Sequence, residues 1–358
     1  MNLAVLPGDG IGPEITGAAI QVLEHLKGIL SLDFTIEMHE IGLAALQRTG
    51  TTLPAAVLDA CRHADGVILG PVSTASYPPR EQGGVNASAA LRIELDLFAN
   101  VRPSRTREGL PHWGRTPMDL VIVRENTEGF YADRNMYSGS GELMPTPDLA
   151  LSIRRISATA SARIARAAFD LAAARRRHVT AVHKANVLGV TEGLFLREVQ
   201  SVARAHPDIT YDEQLVDSMA ALLVREPSRF DVVVTTNMFG DILSDEAAEL
   251  SGSLGLAASI NFGDRHCMAQ AQHGSAPDIQ GQNKANPTSL ILSSAMLLDW
   301  LGRRHRQDGL IAGARLIDQA VDVVLGSPAK RTSDLGGPHS TDAFTADVRK
   351  ELDARASR

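Results

Sequence analysis

Two aspartates, Asp241 and Asp245, lie four residues apart directly after an apolar, β-branched run at 230–234. On a helix of about 3.6 residues per turn, side chains with this spacing share one face. Two carboxylates on one face repel each other unless a cation lies between them, and oxygen ligands with no nearby Cys or His suit Mg²⁺ or Mn²⁺. The spacing therefore predicts a divalent-metal site. The alternative is a solvated acidic face near a helix N-terminus, where the helix dipole favours Asp and Glu.

The apolar run before the aspartates is typical of a buried parallel strand that delivers the chain to a loop and then a helix. Strands and helices alternate along most of the sequence, which predicts a mostly parallel α/β architecture with ligands at the carboxyl ends of strands. Gly8, Gly10 and Gly12 follow the first strand, but their GxGxG spacing differs from the GxGxxG of dinucleotide folds. The predicted strands cover residues 3–6, 34–38, 66–69, 120–124, 179–182 and 230–234, and the predicted helices include 13–27, 54–61 and 152–177.

The composition bounds the class of protein. With 358 residues, 44% of them apolar and 22% charged, the chain can form two domains or one large α/β unit of an ordinary globular enzyme. A formal charge of −7 without a long basic block argues against nucleic-acid binding. Cys61 and Cys267 have no CxxC partner, so a reducing compartment is expected. The sequence shows neither a signal peptide nor a membrane-spanning run, and we expect a cytoplasmic protein with no membrane partner.

Six sequence motifs of this chain occur in the same order in one enzyme family. They are PGDGIGPE at 7–14, LR at 91–92 with ANVRP at 99–103, RENTEGFY at 124–131, HKAN at 183–186, NMFGDILSD at 237–245 and HGSAPD at 273–278. Together they resemble the β-decarboxylating dehydrogenases, which include isocitrate, homoisocitrate, 3-isopropylmalate and tartrate dehydrogenases. The resemblance covers nearly the whole chain.

This resemblance implies a two-domain α/β fold of the isocitrate/isopropylmalate dehydrogenase type, distinct from the Rossmann fold. A large cofactor-binding domain would comprise residues 1–100 plus 253–358, and a small domain would comprise residues 101–252. The small domain would form a homodimer through helices and an arm at about 135–150. The two subunits would share their active sites.

The resemblance also assigns catalytic roles. Asp241 and Asp245 would bind the metal together with Asp217 of the partner subunit. Lys184 would act from the neighbouring subunit, where it would accept the proton of the substrate hydroxyl with Asp217 as a relay. Tyr131 would protonate the enolate carbon after carbon dioxide leaves, a role open to a tyrosine acting as a general acid. Without the resemblance, Asp217 is more simply a helix-start residue. The alternative role for Tyr131 is that of a structural hydroxyl.

The substrate of such an enzyme is a small anionic hydroxy acid. Arg92, Arg102 and Arg124 match the family's three substrate arginines, and guanidinium groups bind carboxylates bidentately. Isocitrate enzymes carry Ser and Asn before the first arginine, where isopropylmalate enzymes carry leucines; this chain has Asn86 and Ser88, the same types in exchanged order. A polar pocket penalises an isopropyl group. We expect an isocitrate- or homoisocitrate-type substrate, with 3-isopropylmalate as the main alternative and tartrate or D-malate third.

The cofactor is expected to be NAD. The segment 273–279 resembles the family's adenosine loop, and Asn286 would lie near the adenine. NADP-using bacterial isocitrate members carry Lys-Tyr where this chain has Asp278-Ile279, and a carboxylate accepts from ribose hydroxyls but repels a 2′-phosphate. Asp334 matches a second position of the NAD-using type. The complete expected cofactor set is His273, Gly274, Ser275, Ala276, Pro277, Asp278, Ile279, Asn286 and Asp334.

Two other classes of function fit the sequence less well. A magnesium-dependent phosphoryl-transfer enzyme should carry a GxxxxGK[ST] loop, and the sequence has none. A non-catalytic regulatory paralogue should have lost Lys184, Tyr131 or one of the metal aspartates. All of these residues are present.

Overall fold

The computed structural model describes residues 1–131, 136 and 141–356. The strands in this part of the chain are β1 (Asn2–Leu6), β2 (Thr35–Met38), β3 (Gly66–Leu69), β4 (Ala99–Arg105), β5 (Asp119–Glu125), β6 (Glu142–Thr146), β7 (Leu149–Ser152), β8 (His178–His183), β9 (Thr210–Leu215), β10 (Val232–Thr235), β11 (Ile260–Phe262) and β12 (Cys267–Gln270). The α-helices are α1 (Gly12–Leu30), α2 (Gly42–Thr49), α3 (Ala55–His63), α4 (Ala87–Glu94), α5 (Ala158–Ala173), α6 (Thr191–Ala205), α7 (Val216–Arg225), α8 (Asn237–Ser251), α9 (Thr288–His305), α10 (Asp308–Gly326) and α11 (Thr341–Ala356). No helix among the described residues is long and apolar enough to cross a membrane.

The chain divides into two compact units. The terminal unit comprises Met1–Leu95, Arg107–Pro111 and Ser253–Arg358, and the central unit comprises Asp96–Thr106 and His112–Gly252. The sequence-based division at 100 and 252 differs from these bounds in two short segments. Residues 96–100 fall in the central unit, and residues 107–111 fall in the terminal unit.

The terminal unit contains five strands in the order β2-β1-β3-β12-β11. All neighbours are parallel except β11 and β12. β3 is buried along its whole length, which explains its uninterrupted apolar sequence. Helix α9 packs against β12 and α10, while α1 packs against α11.

The central unit contains five strands in the order β4-β5-β10-β8-β9, again parallel except for one pair, β4 with β5. The register sets Thr235 of β10 beside Arg124 of β5 and Val182 of β8, so the carboxyl ends of these strands lie along one edge. Helix α8 starts directly after β10 and packs against β4 and β5. Gly240 permits this close packing, because a Cβ there would lie 2.7 Å from Arg124 Cβ.

The helix predicted at 152–177 is shorter in the structure. α5 begins at Ala158 because Ser157 has an extended backbone and its Oγ accepts a hydrogen bond from the N–H of Ala160 at 3.2 Å. Before the helix, β6 and β7 form a two-stranded hairpin whose residues are all exposed. Of the arm predicted at about 135–150, residues 135 and 137–140 lie outside the described residues, and 142–150 fall on this hairpin.

Candidate active site

The two aspartates that share a face of α8 converge on one cation, the guanidinium of Arg102. Arg102 Nη1 donates to Asp241 Oδ1 at 3.1 Å and to Asp245 Oδ1 at 3.2 Å. The same nitrogen donates to Ser244 Oγ at 2.8 Å. Arg102 comes from β4 and its side chain is buried, whereas half of the Asp245 side chain is exposed. The predicted spacing therefore does create an anionic pair with a positive charge between its members.

Arg124 and Tyr131 contact the same carboxylate. Arg124 Nη1 donates to Asp241 Oδ1, and Tyr131 Oη donates to Asp241 Oδ2 at 2.5 Å. Burial, followed by the hydrogen bond to Asp241, raises the pKa of Tyr131, so its hydroxyl keeps its proton at neutral pH. Asn237, which sequence reasoning did not assign, holds Arg124 in place because its Oδ1 accepts from Nε at 2.9 Å and from Nη2 at 2.7 Å.

The donor set around α8 fits a divalent cation. Oxygens of Asp241 and Asp245 already lie within 3.2 Å of one positively charged nitrogen, and carboxylate oxygens are ligands for Mg²⁺ and Mn²⁺. In the described part of the chain no group of three His, Cys, Asp or Glu residues is arranged to hold a metal. Further ligands would have to come from substrate, water or a second subunit.

Lys184 and Asp217 form a separate pair in the central unit. Lys184 follows β8, Asp217 lies in the first turn of α7, and Lys184 Nζ donates to Asp217 Oδ1 at 2.5 Å. This hydrogen bond lowers the pKa of Asp217, whose side chain is mostly exposed. The proposed base and its relay are thus adjacent.

In the terminal unit, two of the predicted substrate residues meet at a residue that sequence reasoning missed. Ser88 Oγ and Arg92 Nη2 each donate to Gln270 Oε1 at 3.1 Å. Gln270 is the last residue of β12. Asn86 has a different partner, because its side chain caps α4 by accepting from the N–H of Ala89 at 3.1 Å. Ser88 and Arg92 are therefore brought together, and Asn86 is engaged at the helix end.

The glycine turn packs directly against the predicted adenosine loop. The N–H of Ile11 donates to the carbonyl of Ser275 at 2.8 Å, and a Cβ on Gly10 would lie 2.0 Å from that oxygen. Ser73 Oγ also donates to Ser275 Oγ at 2.8 Å. Gly10, with a φ of +59°, is thus required by both conformation and space.

His273 carries a buried polar atom that fits a bound nucleobase. Its Nδ1 lies 3.0 Å from the carbonyl of Gly274, and its Nε2 is buried with no hydrogen-bond partner among the described residues. Burial lowers the pKa of His273, which favours the neutral ring. With Nδ1 as donor to the Gly274 carbonyl, Nε2 is an acceptor for an amino group such as that of adenine.

Asn286 and Asp334, both expected near the cofactor, are also in contact. Asn286 Nδ2 donates to Asp334 Oδ2 at 2.9 Å, and Thr332 Oγ1 donates to Asp334 Oδ1 at 2.5 Å. Gly255 lies against this pair, since a Cβ there would come within 3.0 Å of Asp334 Oδ2. The Asp334 carboxylate is thus held by two hydrogen bonds and lies next to Gly255.

Comparisons with known proteins agree on one family. Residues 2–352 match the model of the family described as isocitrate/isopropylmalate dehydrogenase. The chain is 43% identical over 354 residues to the isocitrate/homoisocitrate dehydrogenase of Thermus thermophilus, covering 98% of each chain. It is 41% identical over 353 residues to the 3-isopropylmalate dehydrogenase of Archaeoglobus fulgidus, covering 98% of this chain and 99% of the relative.

A solved structure gives the same result. The crystal structure of isocitrate dehydrogenase from Methylococcus capsulatus superposes with a TM-score of 0.87 at 39% identity, covering 98% of this chain and 99% of that one. The fold type and the family resemblance predicted from the six segments are confirmed. The chain therefore belongs to the isocitrate/isopropylmalate dehydrogenase family and is an oxidoreductase that acts on a CH–OH group with decarboxylation.

Proposed function

We propose that this enzyme oxidises and decarboxylates an isocitrate- or homoisocitrate-type substrate, using NAD and Mg²⁺ or Mn²⁺. The observation that carries the proposal is the cluster on α8. There, Asp241 and Asp245 offer oxygens to a cation, Arg102 and Arg124 offer guanidinium groups to carboxylates, and Tyr131 offers a proton. These are the three kinds of group that the reaction of a 2-hydroxy acid with a 3-carboxylate requires.

The residues then act in sequence. Lys184 of the partner subunit accepts the proton of the C2 hydroxyl, with Asp217 as its relay. NAD⁺, when bound, would accept the hydride of C2, and a 2-oxo acid results. The bond from C3 to its carboxylate then breaks, carbon dioxide leaves, and the electron pair stays on the substrate as an enolate. Tyr131 donates its proton to C3. One substrate and one NAD⁺ thus give one 2-oxo acid, one carbon dioxide and one NADH.

Asp241 and Asp245, with Asp217 of the partner subunit, would hold the divalent cation. When bound, the cation supplies Lewis-acid polarisation of the substrate oxygens. Arg102 and Arg124, whose side chains are both buried, bind the substrate carboxylates through charge-assisted hydrogen bonds.

The surroundings of α4 support a polar substrate. Ser88, Arg92 and Gln270 form one hydrogen-bonded group, and an isopropyl group against it would remove water from these polar atoms without offering them a hydrogen-bond partner. A further carboxylate on the substrate satisfies them instead. The second candidate is 3-isopropylmalate, because a relative with that name is nearly as similar as the isocitrate/homoisocitrate enzyme, at 41% against 43% identity. Tartrate and D-malate come third.

The carboxylates of the cofactor loop support NAD over NADP. Asp278 is exposed on the loop, and Asp334 is fixed by Asn286 and Thr332. The negative charge of either carboxylate would repel a 2′-phosphate placed near it.

Exposed apolar side chains support a homodimer that shares its active sites. On the β6–β7 hairpin, Leu143, Met144, Leu149 and Leu151 are exposed. Val190, which is 87% exposed, follows the Lys184 loop, and Ile242, which is 60% exposed, follows Asp241 on α8. Large apolar side chains next to catalytic groups mark a surface that a second copy covers.

A substrate panel tests the proposal. Purified enzyme with Mn²⁺ and either NAD or NADP is offered isocitrate, homoisocitrate, 3-isopropylmalate, D-malate and tartrate, and reduced cofactor is followed by absorbance. We expect the highest kcat/KM with NAD and isocitrate or homoisocitrate, and a loss of about 10²–10⁴-fold in Lys184→Ala. A maximum with 3-isopropylmalate overturns the substrate assignment, and full activity in Lys184→Ala overturns the base.

A further inference from the structure

A buried arginine outside the predicted site contacts two of its segments. Arg154 lies between β7 and α5, and its side chain is 7% exposed. Its guanidinium lies 5.1 Å from the ring centroid of Phe130 and 5.3 Å from that of Phe239. Phe130 directly precedes Tyr131, and Phe239 lies in the first turn of α8, two residues before Asp241. A single side chain therefore supports both the proposed acid and the helix that carries the aspartates.

The ion-pair partner of Arg154 extends this contact to the proposed base. Glu192, in the first turn of α6, is 0% exposed and accepts from Arg154 Nη2 through Oε1. Its other oxygen, Oε2, accepts from the main-chain N–H of Lys184 at 2.8 Å. Arg154 Nη2 also donates to Oγ1 of Thr236, the N-cap residue of α8, at 3.0 Å. One oxygen of the Glu192 carboxylate thus accepts from the main chain of the proposed base, Lys184, and the other accepts from Arg154.

We infer that Arg154 and Glu192 form a positioning pair that holds the main chain at Lys184, the segment that carries Tyr131 and the start of α8. In the dimer, Tyr131 and α8 serve the active site of their own subunit, and Lys184 serves that of the neighbouring subunit. This inference rests on the proposed roles of those residues. Neither member of the pair touches a reacting atom; each acts through a neighbour. A guanidinium suits this position because it pairs through its edge while its planar faces lie on aromatic rings, and an ammonium group cannot do both.

A second ion pair of the central unit, between Arg175 and Asp231, serves as the control. It lies at the amino end of β10, whereas Arg154 contacts Thr236 at the carboxyl end. Arg175 Nε donates to Asp231 Oδ1 at 2.7 Å, and its Nη2 donates to Asp119 Oδ1 at 2.8 Å. Asp231 is as buried as Glu192 and immediately precedes β10, whereas Thr236 immediately follows it. A change at Arg175 therefore disturbs a buried ion pair of the central unit at the far end of β10.

The test compares Arg154→Lys with Arg175→Lys in the full-length enzyme. Both variants keep the positive charge, so both retain an ion pair and fold. In Arg154→Lys we expect kcat to fall about 10- to 100-fold with the substrate KM within about twofold of wild type, because catalytic groups are misaligned while binding residues remain. In Arg175→Lys we expect a lower Tm and unchanged kcat per folded molecule.

Hydrogen exchange measured by mass spectrometry gives a second readout that does not depend on turnover. Because the amide of Lys184 donates to Glu192, we expect it to exchange about tenfold faster in Arg154→Lys and in Glu192→Gln, and at the wild-type rate in Arg175→Lys. Equal kcat in the two arginine variants, or unchanged exchange at Lys184 in both site variants, overturns the inference. If wild type turns over none of the offered substrates, the proposed function fails while the exchange measurement still decides the positioning role.

Discussion

Strand β10 has an arginine–aspartate cluster at each of its ends, and the two clusters differ in how far their carboxylates are exposed. At the amino end, Asp231 is fully buried. Its Oδ1 accepts from Arg175 Nε at 2.7 Å, and its Oδ2 accepts from the main-chain N–H of Arg176 at 2.9 Å. Each carboxylate oxygen has a donor from within the chain. A buried charge that is paired and hydrogen-bonded in this way is a structural element.

At the carboxyl end, the aspartates are more exposed and the cations are more buried. The side chains of Asp241 and Asp245 are 33% and 50% exposed, whereas those of Arg102 and Arg124 are 7% and 3% exposed. The two aspartate side chains are therefore partly accessible to a cation or substrate while they accept hydrogen bonds from Arg102. The guanidinium groups of Arg102 and Arg124 are buried, and they place positive charge next to the two carboxylates.

The comparison shows that residue type alone does not distinguish a structural ion pair from a catalytic one. Both clusters consist of Arg and Asp, and both lie at the end of the same parallel strand. The carboxyl end differs because parallel strands deliver the chain there to helix starts, which leave polar groups along an open edge. Partial exposure of one partner, with burial of the other, is the feature that indicates function.

The largest effect expected at the structural end is a loss of stability. Asp231→Asn removes the buried charge that accepts from Arg175 and from the N–H of Arg176, while Arg175 keeps Asp119 as a partner, and we expect the free energy of unfolding to fall by about 1.5–3 kcal/mol. Urea denaturation measures this change. Asp208→Asn, which alters an exposed ion pair with Arg177, is the control and should change stability by about 0.5 kcal/mol or less. Equal destabilisation by the two variants would contradict the structural role of the amino-end cluster.

A smaller, pH-dependent effect is expected near the carboxyl end of β10. Burial raises the pKa of Glu128, whose Oε1 accepts from the N–H of Ser157 at 2.7 Å. A raised pKa of an acid in the folded state means that its ionised form is destabilising. The penalty is absent below the ordinary value of 4.5, grows as pH rises from there to the folded-state pKa, and is constant above it.

Glu128→Gln removes this penalty and keeps an acceptor for Ser157. We therefore expect the variant to gain stability over wild type as pH is raised from about pH 4 to about pH 8. Thermal unfolding of both proteins across this range measures the gain. A Tm difference that does not vary with pH would show that the Glu128 charge is fully compensated in the folded state.

Local patterns in the sequence predicted much of the architecture. The apolar runs correspond to β1, β3, β5, β8 and β10 within one or two residues, and the spacing of Asp241 and Asp245 predicted their common face. The helix predicted from residue 152 failed at its start because the capping hydrogen bond of Ser157 begins α5 later. A Ser followed by a small-residue helix is a signal that could have set this boundary.

Contacts between distant residues could not be predicted in the same way. Gln270 meets Ser88 across 182 residues of sequence, and Arg154 meets Glu192 across 38. Periodicity reports which side of an element is buried, but not which element packs against it. The family resemblance assigned the residues expected to touch the ligands, while Asn237, Gln270 and Glu192, which hold those residues in place, became apparent only from the folded chain.

The most direct measurement is Mn²⁺-dependent NADH formation by Asp241→Asn beside wild type, with the substrate that gives the highest wild-type rate. Asparagine keeps the size of the side chain but removes the charge that meets Arg102, Arg124 and Tyr131. We expect kcat/KM to fall about 10²–10³-fold and the half-saturating Mn²⁺ concentration to rise, in a protein that still folds. Wild-type turnover and wild-type Mn²⁺ dependence in Asp241→Asn would contradict the assignment of the carboxyl-end cluster as the catalytic centre.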